Sequence, residues 1–69
     1  MPDSVYKIIE LVGTSTESWE AAAKAAVVKA AKTLRDLRVA EVSELDMSLE
    51  DGKVVAYRAK VKLSFKYED

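Results

Sequence analysis

The chain has 69 residues, with 11 basic and 12 acidic side chains, a net charge of −1, and neither cysteine nor histidine. That composition excludes disulfides, thiolate metal sites, the commonest general base and the commonest nitrogen ligand, so a bound metal would have to be hard and held by oxygen. A near-neutral charge gives no long-range field for nucleic acid or an anionic membrane, and a chain this short buries only about 60% of its unfolded surface, which calls for partner subunits.

Met1-Pro2-Asp3-Ser4 has neither the basic nor the apolar region of a signal peptide, and the longest apolar runs, 21–23 and 25–28, are too short to cross a bilayer. Together with the missing cysteines this fits a reducing cytoplasm. A single domain over residues 1–69 is expected.

Residues 5–12 read Val-Tyr-Lys-Ile-Ile-Glu-Leu-Val, β-branched and aromatic types that predict a first strand with Val5, Ile9 and Leu11 on one face. Gly13-Thr14-Ser15-Thr16 is expected to break it, with Thr14 and Glu17 spaced as a capping box at the start of a helix. The glycine-threonine-serine run lacks the spaced glycines and lysine of a phosphate loop, so capping is its expected task.

From 17 to 37 the apolar residues Trp19, Ala22, Ala23, Ala26, Ala30, Leu34 and Leu37 recur at three and four, predicting one amphipathic helix. Its alanine stripe predicts close contact with a sheet. Trp19, at core spacing near the helix start, reads as a core or subunit contact ahead of a stacking platform for a flat ligand.

A second strand is predicted over 38–49. Ala40 and Val42 are apolar on one parity and Leu45, Met47 and Leu49 on the other, which places a bulge near Ser43. Asp51-Gly52 is a tight-hairpin signal joining this strand to the next, and Glu50-Asp51 reads as an ordinary acidic turn.

The third strand sets Val55, Tyr57, Ala59, Val61, Leu63, Phe65 and Tyr67 against Arg58, Lys60, Lys62, Ser64 and Lys66. It spans roughly 45 Å, whereas the helix covers only about 30 Å, so part of its apolar face needs another subunit. The alternating lysines would also guard an exposed strand edge. The fold expected is α+β, in the order β-α-β-β, a three-stranded antiparallel sheet wrapped around one helix.

Glu44 and Asp46 lie two apart on a strand, so both carboxylates project from one face and can reach one hard cation, or pair with Arg58, Lys60 or Lys62 on the neighbouring strand. For an isolated chain the ion pairs come first. Arg58 and Lys60 are also candidates to hold the phosphate of a small ligand, Arg58 through its forked donor, though a solvated strand face comes first unless a hollow assembly turns that face toward its cavity. No nucleophile stands with a base, so an enzyme is not expected.

Val5-Tyr6-Lys7, Leu11-Val12-Gly13-Thr14-Ser15, Glu41-Val42 and Ser64-Phe65-Lys66 stand where they do in the dodecin family, which the whole chain resembles. The resemblance implies a hollow homododecamer. It also implies flavin binding between subunits, on a tryptophan in a Leu-Asp-Trp-Phe-Glu-Val segment and a glutamine of the third strand. Here Val39 and Arg58 stand at those two places, and valine offers no ring face for stacking. Arg38-Val39-Ala40, Ser18-Trp19-Glu20, Asp46-Met47 and Tyr57-Arg58 are more similar to the calcium dodecin subgroup, which implies calcium as the ligand; Glu44 and Asp46 occur at matching places in that subgroup, which adds weight to them as candidate carboxylates.

Overall fold

The first apolar run forms β1, Tyr6–Ser15, in a computed structural model that describes residues 3–67. Ile9, Leu11 and Gly13 turn toward the core, as the alternation predicts, while Val5 lies outside the strand and is exposed. The strand runs through Gly13-Thr14-Ser15 instead of breaking there, with Gly13 paired to Ala59. Gly13 is not at positive φ. Its role is proximity, since a Cβ there would meet the Ala22 carbonyl oxygen and lie 3.2 Å from Ala26 Cβ.

The helix α1, Trp19–Ala31, is shorter at both ends than the 17–37 expectation. Ser18 caps it, its Oγ accepting from the Ala21 amide at 3.0 Å. The Thr14/Glu17 capping box does not form, because Thr14 stays in β1 and the Glu17 amide donates to Ser15 Oγ at 2.9 Å. At the other end the Thr33 and Leu34 amides share the Ala30 carbonyl. Asp36 then turns the chain at φ 59, a conformation that a short polar side chain tolerates. Leu34 and Leu37 still pack against the core, but from beyond the helix.

Strand β2, Leu37–Glu50, and strand β3, Lys53–Lys66, are joined by Asp51 and Gly52 at φ 52 and 75. Two positive φ values are what a type I′ hairpin needs. The strand order is β1-β3-β2, all neighbours antiparallel. The lysines of β3 therefore lie along the central strand, and the edges are β1 and β2, which corrects the expectation that those lysines guard an edge.

The core is Ala22, Ala26 and Ala30 of the helix against Ala59, Val61 and Leu63 of β3. Alanines four apart let the helix axis settle onto the sheet, so little volume is needed to fill the space between them. The helix packs on β1 and β3 and barely reaches β2. Thirteen residues at ~1.5 Å give it about 20 Å, in a molecule 54 Å long. Val42, Leu45 and Met47, facing the helix side of β2, are consequently left about half exposed.

Candidate functional site

The face of the sheet away from the helix carries the charge. Its rows follow from the registers: Glu10, Lys62 and Glu41 stand side by side across the three strands, then Val12, Lys60 and Glu44, then Thr14, Arg58 and Asp46. Basic residues run down the centre, each with a carboxylate beside it on β2, while β1 offers one, Glu10.

The bulge expected near Ser43 makes this row of carboxylates possible. Register shifts between Val42 and Glu44, and the extra residue, Ser43, ties its hydroxyl to the Lys60 carbonyl at 3.2 Å. Without that shift Glu41 and Glu44 would point to opposite faces, because alternation along a strand has period two. Glu41 and Glu10 were not singled out from the sequence, although the parity switch held the signal for Glu41.

Arg58 holds Asp46 with both prongs, Nε to Oδ1 at 2.7 Å and Nη2 to Oδ2 at 3.0 Å. Lys60 Nζ lies 3.3 Å from Glu44 Oε1. These are the cross-strand pairs that came first for an isolated chain. The hydrogen bond from Arg58, and after it the positive charges of Arg58 and Lys60, hold the Asp46 carboxyl below its ordinary range. The same bond raises Arg58.

Asp46 also joins the two faces of the sheet. Its backbone carbonyl accepts from Trp19 Nε1 at 3.0 Å, and the indole meets the Tyr57 ring edge-on at 5.1 Å. Trp19, Glu20, Ala23, Val42 and Leu45 line an open groove of about 450 Å³ between the helix start and β2. Trp19 is thus a half-buried groove wall. Its link to Asp46 had no signal in the sequence, since 27 positions separate them.

Val39 lies at 57% exposure on the open face, opposite Ser64. Ser64 and Arg58 are six residues apart on β3, about 20 Å, so one chain does not bring Val39 together with Arg58 and Lys60. Glu44 and Asp46 do come together on one face. Their oxygens suit calcium in kind, but calcium takes six to eight oxygen ligands, and among the described residues no group of three or more His, Cys, Asp or Glu side chains is placed to hold a metal. Further oxygens would have to come from water or another copy. No helix is long and apolar enough to cross a membrane.

Comparison with known proteins matches this architecture throughout. The calcium dodecin of Mycobacterium tuberculosis is 48% identical over 63 residues, covering 91% of this chain and 89% of that protein. Its crystal structure, described as calcium chelating with a novel calcium-binding site, superposes with a TM-score of 0.83 at 46% identity, covering 94% of this chain and 93% of that one. A dodecin of Thermus thermophilus is 43% identical over 65 residues, 94% of each. The Streptomyces coelicolor dodecin structure gives a TM-score of 0.92 at 36% identity, over 100% of this chain and 99% of that one. With the Dodecin family model matching residues 5–68 in addition, the chain belongs to the dodecin family.

Proposed function

We propose that this chain is the subunit of a non-catalytic hollow homododecamer that binds and sequesters calcium, with Glu44 and Asp46 contributing carboxylates. The observation carrying this reading is the pair's placement. Both side chains project from one face of β2, an edge strand, where oxygens from a neighbouring copy or from water can complete a sphere that a single chain leaves short. The likeness to a calcium dodecin over nine-tenths of the chain favours calcium among hard cations.

The test is calorimetric titration of calcium into chelator-treated protein, with thermal melting alongside. Calcium uptake is expected to raise the melting temperature, since a ligand that binds only the native state at 100 times its Kd adds about 2.7 kcal/mol. No uptake and an unchanged melting curve would reject the reading. Flavin, the other ligand that the family resemblance implies, has valine at the stacking position. Quenching of riboflavin fluorescence by micromolar protein would replace calcium with a flat-ligand carrier in which Val39 of one copy and Arg58 and Lys60 of another line the site.

A further inference from the structure

We propose that Arg58 is a built-in competitor for the cation: it occupies both oxygens of Asp46, and calcium reaches that carboxylate by displacing it. This rests on the calcium reading above and adds what regulates access to the site.

The two carboxylates are held very differently. Glu44 meets Lys60 through one oxygen at 3.3 Å, and its side chain is 69% exposed. Asp46 is gripped through both oxygens at 2.7 and 3.0 Å, a forked geometry that an ammonium cannot reproduce. A hard cation arriving from solvent therefore finds Glu44 accessible and Asp46 already engaged.

Arg58 has somewhere to go. Its register partner on β1 is Thr14, whose hydroxyl can accept a hydrogen bond but carries no charge. Lys62, by contrast, stands between Glu10 and Glu41. Asp46 is thus the one acidic register partner of Arg58, and releasing it moves the guanidinium toward a neutral neighbour on an open face. Displacement would also be reported at a distance, because the Asp46 carbonyl holds the indole N–H of Trp19, the sole tryptophan of the chain.

The experiment is calcium titration of the wild-type assembly and of the Arg58→Gln, Arg58→Lys, Lys62→Gln and Asp46→Asn variants, read by calorimetry and by tryptophan fluorescence. Each variant is first checked for wild-type circular dichroism and subunit number. Losing an exposed ion pair and one nearby positive charge should lower the calcium Kd of Arg58→Gln about tenfold. Arg58→Lys, which keeps the charge without the fork, should fall between that and wild type. Lys62→Gln should move Kd less than about threefold, since it removes an equal charge farther along the face. Asp46→Asn should weaken binding and abolish the fluorescence change.

A wild-type Kd in Arg58→Gln, with binding still lost in Asp46→Asn, would overturn the competition and leave the calcium reading standing. So would an equal gain in Lys62→Gln, which would reduce the effect to general charge. Binding indifferent to Asp46→Asn would overturn it by placing calcium elsewhere. Failure of the wild type to take up calcium would remove the competition and the calcium reading together.

Discussion

At Gly13 the backbones of helix and sheet meet with no room for a side chain, and at Asp46 one residue serves both faces of the sheet. Gly13→Ala would drive a methyl into the Ala22 carbonyl, which is backbone and cannot swing aside. Overpacking of that kind costs about 1–3 kcal/mol, and the upper end is expected in urea unfolding, with the helix displaced. The Asp46 carboxyl is held below its ordinary value of 3.8, first by the Arg58 hydrogen bond. Its stabilisation is accordingly complete above that value and lost as pH falls through the lower folded pKa. The melting difference between wild type and Asp46→Asn should be flat above about pH 5 and shrink toward zero with further acidification. A difference that persists unchanged in strong acid would show that the pair contributes nothing through its charge. The pair is exposed, so the effect is small.

Among the elements, the helix start rests on Ser18 and not on the Thr14 cap that the sequence predicted. Ser18 accepts from the Ala21 amide, so Ser18→Ala should cost about 1 kcal/mol in denaturant unfolding. Thr14→Ala should change stability by less than about 0.5 kcal/mol, since Thr14 is an exposed strand residue. The reverse ranking would restore the Thr14 cap. The strands, the hairpin at Asp51-Gly52 and the bulge at Ser43 were legible because each rests on local alternation or turn chemistry. The ends of the helix were not, because Leu34 and Leu37 keep helical spacing while packing on the core from outside the helix. Continuation of β1 through Gly13 was hidden for a similar reason. A glycine at a close approach and a glycine in a turn look alike in sequence, and only the helix above it tells them apart. Of the candidate site, Glu44 and Asp46 could be read from their spacing. The strand order that puts β3 in the centre, beside the carboxylates of β2, is a long-range fact with no local signature.

For the molecule as a whole, a small core and a long sheet point to the same need. Val61 and Leu63 are the only large side chains among the described residues that are fully buried, while Val42, Leu45 and Met47 stay near half exposure along the helix side of β2. An apolar row of that kind on an edge strand invites either uncontrolled pairing or closure by symmetric copies. Leu45, at 51% exposure on the wall of the groove beside Trp19, is where the choice can be tested. Leu45→Asp leaves the six-residue core of the subunit untouched and places a charge on the surface proposed to be covered by another copy. Native mass spectrometry should then show the proposed twelve-subunit mass replaced by smaller species. The melting temperature should fall with it and become concentration dependent, because stability gained through association follows mass action. An intact assembly with an unchanged melt would mean that the groove faces solvent in the shell, open to a small ligand, and that the subunits close through other surfaces.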